Sequence, residues 1–328
     1  MWDNATMRNV WLFALWILTA CQSAIPHPGT MDHDPSRNIE QKSQSFHIHQ
    51  SMSLKNIGDR EPEKQNLWVA LIRDIQPYQS VESRLISPSG YVMVSDEYEN
   101  QYAEFQLDNH PAGKVIRIEI DYKITVYEHS PDFEDCEGEL PMEYTQPELH
   151  IESANPQIIA LASDLSKGKS TPCEKVRSFY DHLGDNLIYT FNKKEWGAQA
   201  ALGPMGADCT EYASLMIALS RAEGIPARYL EGLLYLGGRN LEGAQIEHAW
   251  LEVYLPGIGW SAMDPTLGRS RSERDDYFGH HTTDHIIITM GRNPSTLRGS
   301  NYWSHLYWPG GRTTIQVEDA GWEITPLN

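Results

Sequence analysis

Three residues in the second half of the chain have the types and spacing for nucleophilic chemistry: Cys209 in GADCTEYASLMIALSRAEGIPARYLEG (206–232), His248 in HAWLEVYL, and Asp264 in WSAMDP. A thiol attacks a carbonyl as its thiolate, an imidazole beside it takes and returns the proton, and a carboxylate behind the imidazole sets its tautomer and orientation. Each residue taken alone has a plainer reading. A cysteine is often a small buried hydrophobe, a strand histidine is often solvated, and an aspartate before Pro265 is often a turn residue. Their occurrence together, as nucleophile, base and orienter in that order, favours the chemical reading.

The elements that must position them are legible in the flanking residues. Asp208 can cap a helix and Glu211 completes a capping box, so Cys209 falls on the first turn of a helix. Tyr212, Leu215, Met216, Leu219 and Ala222 make one stripe. Gly224 closes the helix in a left-handed conformation, Ile225 packs back on the last turn and Pro226 stops it. A helix N-terminus carries partial positive charge and unpaired N–H groups, which favour a thiolate and can receive an oxyanion. The Cys209 N–H is the natural first oxyanion donor; Trp196 is a candidate for the second, against the alternative of a packing aromatic. Asp208, next to the thiol, opposes its ionisation.

In HAWLEVYL, Ala249, Leu251, Val253 and Leu255 share one strand face, and His248, Trp250, Glu252 and Tyr254 the other. The turn PGIG then leads to a second strand ending at Asp264. A strict four-residue loop would pair Asp264 with an odd-numbered residue and turn it from His248. A three- or five-residue loop, or a bulge at the glycines, is therefore expected.

In order and spacing these segments resemble the core motifs of the transglutaminase-like superfamily: a Cys helix running into GIPAR, a His-Ala-Trp strand, and a Gly-Trp strand ending in Asp-Pro-Thr. The resemblance covers roughly residues 150–290. HIIITMGRNPSTLRG resembles the closing strands of bacterial members, and YQSV and NQYAEF an N-terminal domain often fused to them. It implies Cys209 as nucleophile, His248 as base and Asp264 as orienter, in an α+β fold: a papain-like transglutaminase core preceded by an all-β sandwich-like domain. It does not imply the reaction, since members include crosslinkers, cysteine proteases, amidases and inactive scaffolds. Ala207 stands where many members have glycine.

Other clusters carry less. His280, His281, Asp284 and His285 in HHTTDH lack the spacing of a closed zinc site and read as a polar loop; no metal and no cofactor is expected. Arg228 is expected to pair with an acid. There is no phosphate-binding glycine loop and no calcium loop.

The chain has 328 residues, enough for two domains. A net charge of -19 repels phosphate backbones, so nucleic acid is excluded as a partner in favour of a protein or peptide substrate. Residues 1–20 read as a secretory signal, and Leu18-Thr19-Ala20-Cys21 resembles a lipobox, which would make Cys21 a lipidated first residue. Residues 21–45 read as a flexible tether, 46–130 as a β-rich domain, 131–149 as an acidic linker and 150–328 as the transglutaminase-like domain. Within the β-rich domain Ile116, Ile118, Ile120, Tyr122, Ile124 and Val126 alternate as one long strand, with shorter strand candidates around 46–54, 67–75, 91–95 and 102–107. Export, with a lipid anchor in the outer membrane or cell envelope, leaves Cys136, Cys173 and Cys209 in an oxidising compartment. Cys136 and Cys173 are a candidate disulfide, with two unpaired thiols as the alternative. The expected activity is thiol-dependent acyl transfer on peptide or carboxamide bonds, with hydrolysis ahead of crosslinking; the rival is a catalytically idle scaffold or binding module.

Overall fold

The computed structural model describes residues 41–133, 136–191, 197–237, 247–309 and 313–327. The expected signal, the lipobox with Cys21, and Trp196 lie outside the described residues.

The first six strands and the last two form a pair of four-stranded antiparallel sheets. One takes β1 (Ser43–Asn56), β3 (Gln79–Ser87), β6 (Val115–Tyr127) and β12 (Ile315–Leu327) in the order β12-β1-β6-β3. The other takes β2 (Pro62–Ala70), β4 (Val92–Ser95), β5 (Gln101–Gln106) and β11 (Trp303–Pro309) in the order β11-β2-β5-β4. Their inward faces form one core in which Phe46, Ile48 and Leu54 meet Leu67, Tyr102 and Phe105. In β6, Ile118, Ile120, Tyr122, Ile124 and Val126 are buried, as alternation requires, while Ile116, at the open end, is only partly so.

The second half builds the core sheet from β7 (Ala227–Leu234), β8 (Glu247–Leu255), β9 (Gly259–Met263) and β10 (His285–Met290), ordered β10-β7-β8-β9. One face is covered by α1 (Pro156–Ser166), α2 (Pro172–Asn186), α3 (Ala198–Ala201) and α4 (Cys209–Ala222). Asn155 caps α1 with Pro156 behind it, and Val176, Phe179, Tyr180 and Leu183 of α2 all point inward.

Three features depart from the sequence reading. The chain's last two strands do not extend the 150–328 unit. They return to the sandwich, β12 pairing with β1 and β11 with β2, because each sheet would otherwise expose an apolar edge. Residues 41–328 accordingly form one compact unit. In addition, β3 occupies a segment that sequence left without a strand; its exposed Glu82 and Ser83 hide the alternation. Finally, α4 is buried from Glu211 to Arg221 rather than along one stripe, since it lies between the other helices and the sheet.

Candidate active site

The helix that carries Cys209 starts where its capping residues place it. Asp208 accepts from the Thr210 N–H at 3.0 Å, and the Asp208 N–H donates to Glu211 Oε2 at 3.0 Å. Neither bond uses the Cys209 N–H, which as the first residue of the helix has no intrahelical acceptor. Gly224 closes the helix at φ +71°, and the Ile225 N–H bonds back to the Ser220 carbonyl. Cys209 itself is half-buried and free, whereas Cys136 and Cys173 are joined in a disulfide.

The β8–β9 hairpin settles the parity. Leu255 pairs with Gly259, so the loop is Pro256-Gly257-Ile258, three residues, and the register runs Tyr254–Trp260, Glu252–Ala262. Continued one step beyond Met263, it sets Asp264 opposite Trp250, on the face of His248. His248 Nε2 then meets Asp264 Oδ2 at 2.7 Å, with both side chains almost fully buried. This leaves Nδ1 for the thiol, and Cys209 lies in hydrogen-bonding reach of His248. The His248 face is not the solvated one that its polar residues suggested. Ile75 and Tyr78 cover it beside Trp250, and Glu252 is buried.

Asp264 is held from every side. Its Oδ1 accepts from the Thr266 and Leu267 N–H groups at 2.9 and 3.0 Å, its N–H donates to the Tyr277 carbonyl, and its carbonyl accepts from the Tyr180 hydroxyl. The turn role and the orienting role thus coincide in one residue. Burial works against the Asp264 carboxylate, but His248, and after it His285, hold its pKa well below the usual carboxylate range. Burial likewise works against a charged His248; the Asp264 carboxylate and then Cys209 overcome it and raise the imidazole well above its ordinary value.

His285 was the residue sequence reasoning missed. At the start of β10 it is buried, not in a polar loop, and its Nε2 lies 3.2 Å from Asp264 Oδ2. Sequence offered one cue, a histidine leading directly into the apolar run IIIT. One ligand-type atom from each of His248, Asp264 and His285 lies within 4.8 Å of the others. Two atoms bound to a tetrahedral zinc at 2.0–2.1 Å are about 3.3 Å apart. The 2.7 Å between His248 Nε2 and Asp264 Oδ2 is instead an N–H to oxygen distance.

Arg228 has its expected acid: Nε lies 2.6 Å from Glu252 Oε2, with the guanidinium over the Trp260 ring. His280 and His281 join no metal-type grouping among the described residues.

Beside the thiol, Ile188 and Thr190 bond to Ala207, two residues before Cys209. The Tyr189 phenol is pushed up to about 12, by burial first and then by Cys209 and Asp208. Around this pairing Ile188, Phe191 and Met205 are exposed, an apolar rim along the segments that flank the strand contact of Ala207.

Residues 159–265 match the family model described as the transglutaminase-like superfamily. The chain is similar to the Bacillus subtilis protein YebA, uncharacterised, at 28% identity over 146 residues, covering 38% of this chain and 20% of that protein. It is also similar to a protein-glutamine gamma-glutamyltransferase of Pseudomonas aeruginosa at 32% identity over 124 residues, covering 34% of this chain and 18% of that one. The match thus spans a fifth or less of either relative. A solved structure of a candidate cysteine protease from Cytophaga hutchinsonii shares the fold, with a TM-score of 0.61 at 16% identity over 88% of this chain and 92% of that one.

Proposed function

Because the chain carries a transglutaminase-like core, we propose that it is a thiol-dependent acyl-transfer enzyme acting on peptide or carboxamide bonds, with Cys209, His248 and Asp264 as its catalytic residues. The observation that carries this reading is the half-buried thiol at the α4 N-terminus beside an imidazole whose far nitrogen is bonded at 2.7 Å to a buried carboxylate. The names of the relatives, a glutamyltransferase and a candidate cysteine protease, support the same class of chemistry.

In this reading Cys209 Sγ adds to the carbonyl carbon, and the oxyanion forms against the Cys209 N–H at the helix N-terminus. The C–N bond breaks as His248 Nδ1 gives its proton to the leaving nitrogen, releasing ammonia or an amine and leaving a thioester. Water then attacks, Nδ1 takes its proton, the C–S bond breaks, and the carboxylic product leaves with the thiolate restored. A second amine in place of water would give a new amide. Hydrolysis is favoured because water is the default acceptor and nothing in the sequence specifies an amine site.

The Cys136–Cys173 disulfide supports an exported protein, since such bonds persist in oxidising compartments. Export extends to a lipid anchor at Cys21 and a place in the cell envelope. Among the described residues no helix is long and apolar enough to cross a membrane.

The reaction is tested by supplying glutamine-containing peptides with and without a fluorescent amine, and measuring ammonia or peptide release against amine incorporation. Release in excess of incorporation, absent in Cys209→Ser, is expected. Signals equal in the wild type and Cys209→Ser would contradict an enzymatic role.

A further inference from the structure

Asp264 has a second histidine on the oxygen that serves His248. His285 Nδ1 lies 2.8 Å from the Thr282 hydroxyl, and that oxygen also receives the Asp284 N–H at 3.4 Å. Nε2 of His285 faces Asp264 Oδ2 at 3.2 Å, and a carboxylate can only accept, so the ring's proton sits on Nε2; in the neutral ring Nδ1 is then the acceptor of the Thr282 hydroxyl proton. The bonds run in one direction: Asp284 N–H to Thr282, Thr282 O–H to His285, His285 N–H to the carboxylate. We propose that His285, oriented by Thr282, is a positioning residue that divides the Asp264 carboxylate between two donors, so that His248 receives only part of its charge.

The inference rests on the proposed function and deepens it. His248 must hold a proton to pair with the thiolate and then release it to the leaving nitrogen. A carboxylate committed wholly to His248 would strengthen the first role at the expense of the second. His285 can serve only as a neutral donor, because a charged ring would compete for the carboxylate as a cation. Burial supplies that condition by lowering its pKa, against the pull of Asp264 and with the charge of His248 also disfavouring a second cation. Among the described residues the groups around the two imidazoles are these. His285 is faced by Asp264, His248 and Asp284, with His281, Tyr277 and Trp250 against its ring; His248 is faced by Asp264, Cys209 and His285, with Trp250 stacked on it.

Iodoacetate, an anion drawn to the imidazolium, reports loss of the His248 proton as a fall in Cys209 alkylation at high pH. The fall is to be compared in the wild type, His285→Leu, His285→Gln and Thr282→Val, with melting curves as a check of folding. With the second donor gone, Oδ2 turns wholly to His248, and His285→Leu is expected to move the fall upward by about half a pH unit or more. His285→Gln, which still offers an N–H, is expected to stay near the wild type. Thr282→Val, which frees the His285 tautomer, should shift in the same direction by less, and tests the idea even if His285→Leu does not fold. A purely structural role would loosen Asp264 and move the fall downward. That result, or an unchanged fall in both His285→Leu and Thr282→Val, overturns the proposal while leaving the catalytic reading intact. A fall that persists in His248→Ala would not belong to His248, and would overturn both.

Discussion

His248 and Asp264 meet at 2.7 Å because the loop between their strands holds three residues and not four. Were Gly259 also part of the turn, with Leu255 pairing with Trp260, Asp264 would fall opposite Leu251 and on the other face of the sheet. The carboxylate so placed is itself the acceptor of two backbone N–H groups in the turn that ends the strand, which makes its position as rigid as the backbone.

The pair has a pH signature. Asp264, held low, stabilises the fold above the ordinary aspartate value of about 4 and loses that contribution as pH falls. His248, held high, stabilises below the ordinary imidazole value of about 6.5 and loses its contribution as pH rises through its folded value. The melting temperature of Asp264→Asn should therefore lie furthest below the wild type between roughly pH 4 and 6.5 and converge on either side. Amide turnover in this variant should drop on the order of 10³–10⁴-fold.

The disulfide fastens the segment before the helices to α2 across 37 positions. By chain entropy, closing such a loop contributes about 3–4 kcal/mol. Reduction of the wild type, or the double substitution Cys136→Ser and Cys173→Ser, should lower thermal stability accordingly and leave alkylation of Cys209 in the folded protein unchanged. Chemical denaturation with and without reductant measures it.

Substrate preference should follow the apolar rim. Ile188, Phe191 and Met205 stand exposed around the pairing of Ile188 and Thr190 with Ala207, so peptides with an apolar side chain near the reacting amide should be preferred. Phe191→Ser combined with Met205→Ser should raise KM for such peptides several-fold, with iodoacetamide reactivity at the wild-type level. Peptide-library turnover tests both statements.

Gly232 pairs with His248 on one side and Ile287 on the other, and a side chain there would run into the Ile286 carbonyl. Gly232→Ala should destabilise the protein by about 1–3 kcal/mol, as overpacking does, and reduce amide turnover by displacing β10 and its His285. Denaturation midpoints and turnover, measured together, check it.

The parts of this site that sequence discloses are the local ones. Asp208, Glu211 and Gly224 mark the ends of α4 because capping and left-handed closure are chemistry of adjacent residues. The parity of the hairpin follows from strand alternation and loop length. The second donor on Asp264 was not legible: His285 reaches it from β10, on the other side of β7 from His248, and no spacing rule connects 264 to 285. The burial of the His248 face was hidden for the same reason. Its cover, Ile75 and Tyr78, comes from the loop after β2, far away in the chain. Closure of the sandwich by β11 and β12 likewise depends on pairing between the two ends of the described chain.

Activation of Cys209 is read from its rate of alkylation with iodoacetamide as a function of pH in the wild type and in His248→Ala. Wild-type Cys209 should keep reacting well below about pH 8.5, where a free thiol ionises, and His248→Ala should confine the reaction to alkaline pH. Two superimposable profiles, both rising only near the free-thiol value, would contradict that activation.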